Sequence, residues 1–71
     1  MICKCCGEDT LAEGDGNFEI CPSCGWEDDP VQNADVWLAG GANFYCMREH
    51  QALLFIIRMV TGYYSRDEKD L

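Results

Sequence analysis

The strongest constraint in the chain is a repeated spacing: Cys3-Lys4-Cys5-Cys6-Gly7 near the start and Cys21-Pro22-Ser23-Cys24-Gly25 further on. Each run contains C-x-x-C-G, and 14 residues separate Cys6 from Cys21. A two-residue spacer lets both sulfurs of a pair face one ion about 2.3 Å away, and two pairs complete a tetrahedron. Glycine after each second cysteine supplies the permissive dihedrals that such a tight turn needs. Backbone N–H groups in the turn can then point at the thiolates and offset their charge. Cys3, Cys6, Cys21 and Cys24 are therefore the expected ligands of one structural metal ion, held by two facing knuckles.

Size makes such a staple necessary. With 71 residues, the chain is one small domain whose core is marginal without a metal or disulfides. Six cysteines suit either device. Met1-Ile2-Cys3 leads straight into the first pair, so no secretory leader is expected. The expectation is therefore a cytoplasmic chain, in which thiols stay reduced and bind metal. Tetrahedral four-sulfur sites hold zinc or iron. Rubredoxins, the small iron electron carriers, show similar knuckles but a considerably longer separation between them. The 14-residue spacer resembles a zinc ribbon. One structural Zn²⁺ is expected, with iron as the alternative.

The formal charge of −8, from 13 acidic and 5 basic residues, argues against nucleic acid. Binding to phosphates needs clustered Lys and Arg, and Lys4, Arg48, Arg58, Arg66 and Lys69 are scattered. Such acidity suits solubility or a basic protein partner. No apolar run approaches the roughly 18 residues that span a membrane.

Residues 1–26 read as the zinc-ribbon part. Two short strands joined across Gly14-Asp15-Gly16-Asn17 form its β-hairpin, with Phe18 and Ile20 on one face. Residues 27–42 read as an acidic packed loop, anchored by Val31, Val36, Trp37 and Leu38. Residues 43–64 are the helical segment, with the helix itself over 47–61 and Gly62 as its stop. Cys46 and Glu49 have capping-box spacing, with a thiol in place of the hydroxyl. Residues 65–71 form a polar tail. The expected fold is small α+β and metal-stabilised: a hairpin with two knuckles, a packed loop and one C-terminal helix. Winding the helix gathers Leu53, Leu54, Ile56, Ile57, Met59, Val60, Tyr63, Tyr64 and His50 on one side, with Gln51 and Arg58 opposite. That arc spans about 220°, well beyond the roughly 100° needed to face a single core.

The other reactive residues read more plainly. Cys5 is a small turn residue, with an exchange-competent fifth thiol as the alternative. Cys46 is a buried or capping thiol. His50, on the apolar side, is a satisfied core histidine. Trp26 and Trp37 are expected as core anchors beside the knuckles. Glu27, Asp28 and Asp29 are partner-contact candidates on a solvated loop, and no calcium-loop spacing surrounds them.

Taken together, Cys3-x-Cys5-Cys6-Gly7, Ile20-Cys21-Pro22-x-Cys24-x-Trp26-Glu27-Asp28-Asp29 and Gly40-Gly41-Ala42-Asn43 resemble the bacterial cysteine-rich CPCC family over residues 2–52. Lys4 replaces the namesake proline, and Cys46 stands where relatives tend to have serine. The resemblance implies a zinc-ribbon-like domain and supplies no catalytic residues.

The functional expectation is a non-enzymatic, zinc-stapled protein–protein interaction module of immunity, antitoxin or phage-inhibitor type. It would meet a protein partner, or a second copy, through Phe55, Ile56, Met59 and Tyr63. A rubredoxin-like iron carrier is the alternative, and a nucleic-acid-binding ribbon a more remote one. A closed four-thiolate metal has no open position for catalysis.

Overall fold

A computed structural model describes residues 1–61. Two helices are present among them, α1 (Pro30–Ala34) and α2 (Met47–Thr61). Tyr63, Tyr64, Gly62 and the 65–71 tail lie outside the described residues.

The expected hairpin between the two cysteine pairs does not form. Among the described residues, pairing is confined to two isolated antiparallel bridges, Ile2 with Asp9 and Ile20 with Glu27. Each bridge closes over its own cysteine turn, because the turn itself brings together the residues just before and after it. The Cys3 amide donates to Glu8 and the Cys21 amide to Trp26, at 2.8 and 2.9 Å. The Gly7 and Gly25 amides return to Cys3 and Cys21, both at 2.8 Å. Both glycines have φ of 82°, where a side chain would be strained. The segment between the turns coils instead of laddering, since Gly14, Asp15, Gly16 and Phe18 all take positive φ. Phe18 and Ile20, expected on one face of a strand, are both exposed.

The 27–42 segment is not only loop. Asp29 caps α1 by accepting from the Val31 amide at 2.8 Å and the Gln32 amide at 3.2 Å. Pro30 occupies the first turn, where its missing N–H costs nothing. Trp37, expected as an anchor, is instead 72% exposed, and Val31 and Leu38 are exposed as well. Of those four anchors only Val36 packs against the core.

That core is small: Cys3, Cys5, Leu11, Cys21, Cys24, Trp26 and Met47, flanked by Cys6, Val36 and Leu54. α2 matches its expected extent. Cys46 stands at its N-terminal boundary, with its carbonyl accepting from the His50 amide at 2.9 Å. The Arg48 amide, which a capping side chain at 46 could take, goes to the Val36 carbonyl at 3.2 Å.

α2 docks by an unexpected side. Gln51, assigned to the solvent face by its polarity, donates to the Cys5 carbonyl at 2.8 Å. With Met47, His50 and Leu54 it forms the face turned to the cysteine turns. The apolar residues Ile56, Met59 and Val60 lie on the opposite side and are exposed.

Candidate metal centre

The two matched turns bring Cys3, Cys6, Cys21 and Cys24 together with all four sulfurs within 4.8 Å of one another. Cys3 and Cys24 sulfurs lie 3.7 Å apart, and Cys6 and Cys21 sulfurs 3.8 Å. A tetrahedron with metal–sulfur bonds of about 2.3 Å has edges of about 3.8 Å. The donor set and its spacing thus fit a four-sulfur metal site. All six cysteines are free thiols, so the disulfide alternative is not adopted in this fold.

Hydrogen bonds around the sulfurs are unequal. Cys21 Sγ lies 3.0 Å from the Thr10 hydroxyl and accepts from the Ser23 and Cys24 amides at 3.4 and 3.5 Å. Cys24 Sγ accepts from the Trp26 amide at 3.4 Å. Burial raises the Cys21 thiol, but the Thr10 hydroxyl and the two amides outweigh it and bring it down to about 6. Burial pushes Cys6 up to about 12 and also raises Cys3. Cys24 is raised by its neighbour Cys5 and by burial. The site therefore accumulates thiolate most readily at Cys21, and a cation is needed to hold the other three as thiolates.

α2 buttresses this centre. His50 Nε2 lies 2.8 Å from the Cys24 carbonyl, and its ring meets Trp26 edge-on at a 5.4 Å centroid distance. His50 is thus the satisfied, half-buried histidine expected from its position. Cys5 lies in the first turn, as expected of a small turn residue; it is buried, and the structure also groups it with Cys24 and His50. Residue spacing carried no signal for that proximity, because it arises from the docking of α2.

The acidic candidates sit differently from expectation. Asp28 is 1% exposed and Asp29 is also buried, so neither is available to a partner. Asp28 accepts from the Gly16 and Asn17 amides at 2.7 and 3.2 Å and from Asn33 Nδ2 at 2.8 Å. Asn33 in turn accepts from the Trp26 indole at 2.9 Å. Burial opposes ionisation of Asp28, but these donors prevail and keep its carboxyl below the ordinary range. The Ala42 amide, 2.9 Å away, does the same for Asp29. The physical reason for the burial is that capping, loop closure and indole positioning all draw on these two carboxylates. Glu27 is half-buried, and both its backbone groups bond Asn43, at 2.8 Å each.

Asn43 and Gln32 were not among the sequence candidates, yet they tie the segment together. Asn43 donates twice to Gln32 Oε1, from its backbone and its side chain, at 2.9 Å. Gln32 Nε2 donates to the Leu38 and Asn43 carbonyls at 2.9 and 3.0 Å. Gly41 allows the approach, since a Cβ there would lie 2.7 Å from Asp29 Oδ2. The Trp26-Glu27-Asp28-Asp29 and Gly40-Gly41-Ala42-Asn43 runs are thus the two halves of one polar clasp.

Of the apolar partner-contact candidates, Phe55, Ile56 and Met59 are exposed. No helix among the described residues is long and apolar enough to cross a membrane. No curated protein matches the chain. A family model described as cysteine-rich CPCC matches residues 1–57. That span takes in both cysteine turns, both halves of the clasp and most of α2, and the chain belongs to the cysteine-rich CPCC family.

Proposed function

We propose that the chain is a non-enzymatic interaction module, stapled by one zinc ion at Cys3, Cys6, Cys21 and Cys24, that associates through the outer face of α2. The observation that carries this reading is the exposed apolar side of α2. Ile56, Met59 and Val60 are exposed opposite the face that docks on the cysteine turns, and Leu53 and Ile57 are exposed on its flank. Contiguous apolar surface of this kind marks an association site.

A second copy of the chain is the occupant favoured by charge. Between residues 52 and 61 the only ionisable side chain is Arg58. Two chains can therefore meet along α2 while their acidic surfaces, which carry the −8, stay apart. A role as an immunity, antitoxin or phage-type inhibitor is the narrower form of the reading, with a foreign protein in place of the second copy. A reducing cytoplasm is the compartment that suits six free thiols. Nothing in the charge distribution supports nucleic-acid binding.

Light scattering on the zinc-loaded chain is the test. A dimer that becomes a monomer in Phe55→Ser/Met59→Ser supports the reading, and a monomer in both samples overturns self-association. The metal is settled by colour and elemental analysis. A colourless protein with one zinc per four-cysteine centre supports zinc, whereas red protein with visible absorption makes it the rubredoxin-like iron alternative.

A further inference from the structure

The four-cysteine centre leaves two potential metal donors beside it that it does not use. Cys5 is a buried thiol, His50 is a half-buried imidazole, and both lie against Cys24. We propose that Cys5, Cys24 and His50 form a second zinc site, sharing the Cys24 thiolate with the first, so that the chain holds a thiolate-bridged pair of ions. The proposal rests on the four-cysteine centre binding zinc and extends it.

The geometry is the first argument. The Cys5 and Cys24 sulfurs and a ring nitrogen of His50 all lie within 4.8 Å of one another. The three donors come from separate places in the sequence, the two cysteine turns and the first turn of α2. They are brought together by two bonds, Gln51 Nε2 to the Cys5 carbonyl and His50 Nε2 to the Cys24 carbonyl, each 2.8 Å.

The second bond is the second argument. Metal-bound histidines characteristically donate their other ring N–H to a carbonyl or carboxylate, which fixes the tautomer and orients the ring. With Nε2–H donating to the Cys24 carbonyl, the lone pair is on Nδ1. That hydrogen bond and the edge-on Trp26 ring, 5.4 Å away, hold the imidazole beside the sulfurs before any metal arrives.

Charge is the third argument. Four thiolates and one divalent cation leave the first centre with two net negative charges in a buried setting. Binding a second Zn²⁺ releases the Cys5 proton to solvent and adds one thiolate, so the net falls to one. A sulfur with several lone pairs can serve two cations at once, and Cys24 is the only member of both groups. Two thiolates and one imidazole select a borderline-soft ion such as Zn²⁺. Three protein donors also leave a fourth position for water, unlike the closed first site.

The experiment is a zinc titration of the full chain followed by native mass spectrometry, with Cys5→Ser and His50→Gln alongside. Glutamine can still donate to the Cys24 carbonyl, so docking of α2 is retained, and circular dichroism of each one-zinc form checks the fold. The expected result is two ions in the wild type and one in each variant. A Co²⁺ titration gives an independent readout. The paramagnetic resonance signal of the first equivalent should fall as the second binds, because thiolate-bridged ions couple magnetically. One ion in all three proteins overturns the second site and leaves the four-cysteine reading standing. Two ions in all three, with an undiminished cobalt signal, show adventitious surface binding and also overturn it. No bound zinc at all overturns the four-cysteine reading itself.

Discussion

The clasp around α1 and the outer half of α2 invert the usual distribution of polarity. In the clasp, polar groups are inside: Asp28 and Gln32 are 1% and 0% exposed, and no buried side-chain nitrogen or oxygen among the described residues lacks a partner. Along outer α2 the apolar groups are outside, and Val60 is 78% exposed. A domain this small lacks apolar surface for a conventional core, so residues 1–50 rely on a satisfied polar network and on a four-cysteine cluster with the spacing of a metal site. Its apolar residues on outer α2 are left exposed, which is what the proposed association needs.

The comparison is broken most thoroughly by removing the metal. Structural zinc sites contribute about 10–16 kcal/mol of apparent binding free energy, far more than this core can replace. Strong chelator should therefore collapse the amide dispersion of the whole 1–50 region in an NMR spectrum. Retention of that dispersion would mean that the clasp and core suffice alone.

The next largest effect should come from the clasp. Asn43→Ala strands the Glu27 amide and carbonyl and removes a donor to Gln32. With buried unsatisfied groups costing about 1–3 kcal/mol each, denaturant midpoints should show a loss of about 3 kcal/mol. Gly41→Ala is a milder probe of the same region. Its Cβ would press on Asp29 and Gln32 at 2.7–2.8 Å, and relief by small shifts should cost about 1–2 kcal/mol.

Outer α2 should give the smallest effect on stability. Val60→Lys in the zinc-loaded monomer should change stability by less than about 0.5 kcal/mol, while weakening association measured by sedimentation. A loss comparable to that of Asn43→Ala would show that outer α2 contributes to the fold and would remove the contrast between the regions.

The parts legible in the sequence are those that local chemistry dictates. Cys3, Cys6, Cys21 and Cys24 were legible because a two-residue spacer and a following glycine express the geometry of the turn. The extent of α2 was legible because periodicity is a local property. The hairpin was misread because turn residues at 14–17 suit a strand connection equally well, and only the backbone shows that each cysteine turn pairs its own flanks. Trp37 was misread because size and apolarity do not specify burial. Asp28 and Asp29 look like a solvated acidic run until the Gly16, Asn17 and Ala42 amides are found against them.

What the sequence determined by itself is a four-cysteine cluster with metal-site spacing and one long helix. Cysteine spacing and helical period are both set by covalent geometry over a few residues. Tertiary structure alone decided which side of α2 faces inward. The carbonyls of Cys5 and Cys24, exposed by the tight turns, need donors, and Gln51 and His50 supply them. Satisfying those carbonyls draws the more polar side of the helix onto the cysteine turns and leaves its apolar side outside.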